Sequence, residues 1–187
     1  MKKIIKAAGV MAVIMIGILA CGPGRIEYAN ANKQLYTLVN LHPDEVHARM
    51  YSVNYQREGL IKYCTPVTIT KVTSKAAVIR DDSTGKTYQY IFHMRSMSKS
   101  QQEHLNKIFA TACDPSLIEK LSEDDQKGID IGTVSVGMTK DGVLIAIGYP
   151  PEHETPSLEQ DRWKYWTNRM ATFVVVFKDG VVVDIIR

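Results

Sequence analysis

Between Leu35 and Phe92 the chain alternates apolar and polar residues in short runs. Leu35–Val39, Val67–Val72, Ala76–Ile79 and Thr87–Ile91 are rich in β-branched and aromatic residues, the signature of half-buried strands. Turn chemistry separates them, most clearly Asp81-Asp82-Ser83-Thr84-Gly85-Lys86, and this spacing predicts a small β-rich, barrel-like domain over 35–97. After Ser98 the period lengthens. Ser98 or Ser100 can cap a helix, with Gln101 or Glu103 completing a capping box. Leu105, Ile108, Phe109 and Ala112 then follow at i, i+3, i+4, i+7, a buried helical stripe. Asp114-Pro115 stops that helix and can open another, on which Leu117, Ile118 and Leu121 share a face. Ser122 to Lys127 is polar and can cap a further turn. The domain boundary is expected near Met94–Lys99, with the Ser98 helix free to pack against either half.

The last third has its own pattern. In Gly137-Met138-Thr139-Lys140-Asp141-Gly142-Val143-Leu144-Ile145-Ala146-Ile147-Gly148-Tyr149-Pro150, Thr139 suits an N-cap. Val143, Ala146 and Ile147 form one face, Gly148 suits the C′ position, and Pro150 forbids continuation. Gly142 inside that helix costs about 1 kcal/mol against alanine. Three strands follow: Trp163–Trp166, Phe173–Phe177 and Val181–Ile186, the last two joined by Asp179-Gly180, a type I′ hairpin signal. With a two-residue turn Lys178 pairs with Val181, Phe177 with Val182 and Val176 with Val183. One face then carries Val174, Val176, Val181, Val183 and Ile185. The other carries Phe173, Val175, Phe177, Val182 and Ile186, with only Asp184 polar. Antiparallel sheets usually keep one wet face, whereas here both faces call for cover. Helices supply one cover, and the front half of the chain or a partner protein the other. Tyr149, Trp163, Tyr165, Trp166 and Arg169 are the aromatic and arginine residue types that dominate interface hot spots, and are equally compatible with a core and its rim.

A Gly-Met-Thr helix closed by Gly-x-Pro, then an aromatic strand and a DG hairpin, resembles the BamE/SmpA/OmlA family of outer-membrane lipoproteins over about residues 129–187. Gly137, Met138 and Thr139 would open the family's second helix, Gly148 and Pro150 would close it, and Trp163 would begin the sheet. The resemblance implies an α+β fold with helices packed on a three-stranded antiparallel sheet, preceded here by the β-rich domain. It also implies protein contacts at the outer membrane, where BamE itself serves the machinery that inserts β-barrel proteins. The β-rich front half departs from a minimal member of that family.

The first twenty residues support an envelope location. Lys2, Lys3 and Lys6 precede an apolar run from Ala7 to Ala20, too short to span a bilayer and arranged as a secretory leader. The run ends in Ile18-Leu19-Ala20-Cys21-Gly22, which resembles a bacterial lipobox. Residues 1–20 are therefore expected to be a lipoprotein signal peptide, with Cys21 as the lipid attachment point. A cysteine of that kind carries three acyl chains, and several chains anchor firmly where one does not. Residues 21–34 read as a flexible tether. Gly22 stands where an aspartate would mark inner-membrane retention, so the resemblance implies the periplasmic face of the outer membrane.

Charge and cysteine content narrow the chemistry. The chain has 23 Lys and Arg against 20 Asp and Glu, and the three basic residues of the leader account for the whole excess of +3. The body is neutral and gives no reason to expect a nucleic-acid partner. Of three cysteines, Cys64 and Cys113 remain for the body: a candidate disulfide in an oxidising compartment, two inert thiols, or one reactive thiol. Ser83-Thr84-Gly85-Lys86-Thr87 has the tail of a phosphate-binding loop, but Arg80 stands where glycine is required. Asp81 and Asp82 lack the terminal glutamate of a calcium loop, since Phe92 holds that place. His42, His47, His93, His104 and His153 make no HExxH or close helical pair. No catalytic constellation, metal site or cofactor is expected. The expectation is a lipid-anchored protein-interaction module. Its rivals are an enzyme or inhibitor using the Cys64 region or the loop at His153, and a cell-wall binding module in the front half.

Overall fold

A computed structural model describes residues 24–97 and 99–187. The leader, Cys21 and Ser98 lie outside the described residues. The described residues form a mixed α+β fold with two sheets and four α-helices, each sheet closing over its own apolar cluster.

The front sheet comprises β1 (Arg25–Ile26), β2 (Gln34–Thr37), β3 (Arg49–Tyr51), β4 (Pro66–Thr73), β5 (Ala76–Asp81), β6 (Thr87–Ile91) and β7 (Phe109–Ala110). Its path runs β3-β6-β5-β4-β2-β7, with β1 paired to β4. The first residues of β4 pair with β2 and its last two with β1, while its register against β5 shifts between Ile69 and Lys71. A bulge bends a strand and tightens its twist, so β4 turns the corner that curls the sheet. β3 and β7 remain its two ends, making it a curled open sheet instead of a closed barrel. The alternating residues Val67, Ile69, Ala77, Ile79, Tyr88 and Tyr90 all point into the core.

Two expected boundaries move. Residues 25–34, expected as a leash, belong to the front unit: β1 pairs with β4, the Asn32 amide donates to the Ile69 carbonyl, and buried Tyr28 donates to Asn106. Helix α1 (Gln101–Ile108) also joins the front unit. Ser100 caps it through the expected box with Glu103, and Leu105 and Ile108 enter the front core. The helix ends at Ile108, so Phe109 continues the buried stripe from a strand and Ala112 lies exposed outside it. The division between units therefore falls after Cys113, not near residue 97.

The back unit begins with α2 (Ser116–Glu119), a single turn on which Leu117 faces solvent while Ile118 and nearby Leu121 pack inward. Next come α3 (Glu123–Ile131) and α4 (Lys140–Ile147), then β8 (Arg162–Trp166), β9 (Thr172–Lys178) and β10 (Val181–Ile186) in the antiparallel order β10-β9-β8. Ser122 and Thr139 cap the two longer helices, each accepting a hydrogen bond from the amide three residues on. Buried Asp125 ties the two helix starts together. Its carboxylate accepts from the Thr139 amide at 2.7 Å, from Thr139 Oγ1 at 3.0 Å and from Ser122 Oγ at 2.8 Å. This contact explains Gly142: a Cβ there would collide with the Asp125 carboxylate. The helix-propensity cost is accepted for a close helix crossing.

The units meet at the C-terminal ends of α3 and α4. The last carbonyls of a helix have no partner within it, and here the front unit supplies donors. The Asn40 amide donates to Ile145 and its Nδ2 to Ile129, both at 2.7 Å. Asn54 Nδ2 donates to Ile147 at 2.9 Å, and His42 Nε2 to Ala146 at 3.3 Å. Gln56 Nε2 adds a longer contact to Ile147. This interlock is polar, buried and specific in direction, so the two units share one fixed arrangement.

Candidate interaction surface

The three-stranded sheet has two unlike faces because of one bulge. Its register follows the expected pairs Lys178–Val181 and Phe177–Val182, then shifts so that Val176 meets Asp184 instead of Val183. Beyond the bulge Ile185 turns inward and Asp184 and Ile186 turn outward, exchanging the faces expected for Ile185 and Ile186. The inner face is Trp163, Tyr165, Phe173, Val175, Phe177 and Val182, all buried with Val143, Ala146 and Ile147 of α4.

Across the outer face the rows are Arg162–Val176–Asp184, Lys164–Val174–Ile186 and Trp166–Thr172. Val174, Val176 and Trp166 are half-buried. Val181, Val183 and Ile186 are 37%, 48% and 44% exposed. The front unit reaches only the Trp166 end, where the Gln56 amide donates to the Trp166 carbonyl, and among the described residues Val181, Val183 and Ile186 stay exposed. Lys164 lies 5.9 Å from the centre of the Trp166 ring and pairs with Glu154 at 2.9 Å. The indole nitrogen of Trp166 is buried without a hydrogen-bond partner among the described residues. Met170, 94% exposed, stands with exposed Arg169 on the turn between β8 and β9.

The five aromatic and arginine residues expected at a contact surface separate into three environments. Trp163 and Tyr165 are fully buried and belong to the core, which corrects their place in any surface; inward register on β8 decides it. Tyr149 is half-buried against the front core with the Lys107 ammonium 4.1 Å over its ring. Only Trp166 and Arg169 remain at or beside the open face. Gly137 at φ +97° and buried Met138 lead into the Thr139 cap, and Gly148 ends α4 at φ +77° before buried Pro150. Those five residues shape the helix.

The rival chemistries turn on Cys64, Cys113 and the histidines. Cys64 is joined to Cys113, their Cα atoms 5.6 Å apart, so neither sulfur offers a thiol. Among the described residues no group of three or more His, Cys, Asp or Glu could hold a metal ion. His93 stacks on His153 with ring centres 6.1 Å apart and contacts Ser96 Oγ at 2.6 Å, but Ser96 is buried. His104 touches the Tyr90 hydroxyl at 2.8 Å. Burial, aided by the Lys107 ammonium, lowers its pKa to about 4, and burial lowers that of His42 as well. The unfolded chain takes up these protons near pH 6.5, so the native state loses stability as pH falls from about 6.5 towards 4. Urea midpoints measured at pH 7 and pH 5 should show this fall, and His104→Gln should reduce it. An unchanged difference between the two pH values would contradict the assignment.

No family model, curated protein or solved structure matches the chain. No described helix is long and apolar enough to cross a membrane.

Proposed function

We propose that this chain is a lipid-anchored envelope protein that acts as a non-catalytic protein-interaction module. Acyl chains on Cys21 would hold the two-unit body at the periplasmic face of the outer membrane. The observation that carries the reading is the open face of the back sheet. The face groups Val174, Val176, Val181, Val183 and Ile186 between Arg162, Lys164 and Lys178, and Val181, Val183 and Ile186 are exposed; neighbouring exposed apolar residues of this kind suit a contact surface. Its border is of mixed charge, with exposed Asp184 in the row of Arg162, and Lys164 paired to Glu154, which suits a protein partner with an apolar centre and a polar rim.

The order of two capped helices followed by three antiparallel strands supports a BamE-like back unit, and with it a role in outer-membrane protein assembly or envelope maintenance. The curled front sheet is outside that likeness, and the proposal about the face does not depend on the partner being that of the assembly machine.

A photo-crosslinking residue placed in turn at Val176, Val183 and, as a control, exposed Gln89 of β6 tests this in native membranes. Adducts with an envelope protein are expected from positions 176 and 183 and not from 89. Absence of adducts at both sheet positions, or equal labelling from all three, would overturn it.

A further inference from the structure

A second feature is independent of the open sheet face. Where the units meet, beside the interlock at the end of α4, lies a cleft of about 360 Å³. That is within the range of small-molecule sites, which favour such junctions. One wall comes from residues 56–60 of the front unit, and the other from the chain that leaves α3, the end of α4 and the start of β9. Its floor is apolar: Leu60, Val134, Ile147 and Phe173. Gly132, at φ +69°, permits the close fit of this wall, because a Cβ there would meet Leu60 and His42.

The polar groups are unbalanced. Arg57 and Arg187 both line the cleft, and neither has an ion-pair partner among the described residues. The Arg57 Nε is buried and has no hydrogen-bond partner. Its guanidinium carbon lies 5.9 Å from the centre of the Tyr55 ring, and its charge also acts weakly on the Asp44 carboxylate, which lies outside the cleft lining and is held chiefly by His47. An unpaired buried donor on a charged group costs more than an ordinary missing hydrogen bond, so an oxygen anion brought beside it gains more than it would on an open surface. Glu58 is the one acidic side chain in the lining, and it faces solvent. A planar guanidinium matches a carboxylate in two parallel hydrogen bonds.

We propose that this cleft binds a small carboxylate-bearing amphiphile, its head at Arg57 and Arg187 and its apolar body over Leu60, Ile147 and Phe173. The size of the cleft fits a short acyl or aryl chain. The wall opposite, with His42 engaged at Ala146, contributes no acidic side chain.

The test is calorimetric titration of octanoate into the full chain held in phosphatidylcholine nanodiscs, with empty nanodiscs as the blank and 1-octanol as the uncharged counterpart. Saturable binding at one site is expected, with octanoate held at least tenfold more tightly than octanol. Arg57→Gln should abolish that preference. Thr133→Trp, which fills the cleft from its exposed rim, should weaken both ligands at least tenfold and decides the matter if the arginine variant does not fold. Heat indistinguishable from the blank, a preference that survives Arg57→Gln, or binding untouched by Thr133→Trp would each overturn the proposal.

Discussion

Replacing Asn40 by alanine should lower the free energy of unfolding by about 3–5 kcal/mol, a large part of what holds an ordinary domain together. The residue is fully buried. Its side chain donates to the Ile129 carbonyl and accepts from the Tyr63 amide, both at 2.7 Å. Alanine leaves that carbonyl and that amide inside the protein without partners, and each such group costs about 1–3 kcal/mol. Asn40→Asp should also be harmful, because a carboxylate can still accept from Tyr63 but repels the Ile129 carbonyl. Urea unfolding of the two variants and the parent measures the effect. A loss below about 1 kcal/mol for Asn40→Ala would mean that the carbonyl finds another donor and that the interlock is looser than its geometry indicates.

That interlock marks the limit of what the sequence makes legible. Local signals are read from neighbours in the chain, and these were visible. Ser100 with Glu103, the Thr139 cap and the Asp179-Gly180 turn each stand within a few residues of the group they serve. The four strands called between Leu35 and Ile91 are present, their ends shifted by a residue or two. Asn40, His42, Asn54 and Gln56 carry no such signal. Their partners lie about ninety or more residues away, and an asparagine in a loop ordinarily satisfies its own turn.

The same reasoning accounts for the misplaced surface. Aromatic residues on β8 alternate inward and outward, so Trp163 and Tyr165 were bound to share a face and Trp166 to take the other. Which face meets the helices is a matter of packing that alternation does not decide. The bulge at Val183 is equally silent, since no glycine or proline announces it. Yet it determines which of Ile185 and Ile186 is exposed, and therefore the composition of the face on which the proposed function rests. Arg57 was invisible for a further reason: its significance comes from a cleft between two units, and residue type alone says nothing of a missing partner.

Removing the Cys64–Cys113 bond should cost about 4 kcal/mol on the chain-entropy account, which depends on a separation of 49 residues. The closed loop contains β4, β5, β6, α1 and β7, four of the curled sheet's seven strands. β7 itself is only two residues long and is held to β2 by the pairs Tyr36–Ala110 and Thr37–Phe109. Without the covalent link, fraying of that edge would carry away α1, whose Leu105 and Ile108 close the front core. The double variant Cys64→Ala/Cys113→Ala should therefore unfold at lower urea, and the Ala110 amide should exchange faster than the amides of β5. Each single variant should be destabilised to the same extent as the double, because breaking the bond at either end releases the same loop. A single variant that kept full stability, or the two differing by more than about 1 kcal/mol, would show that one sulfur has a task beyond the bond. Equal losses would leave both cysteines structural and remove nucleophilic chemistry at Cys64 from the roles open to the front unit.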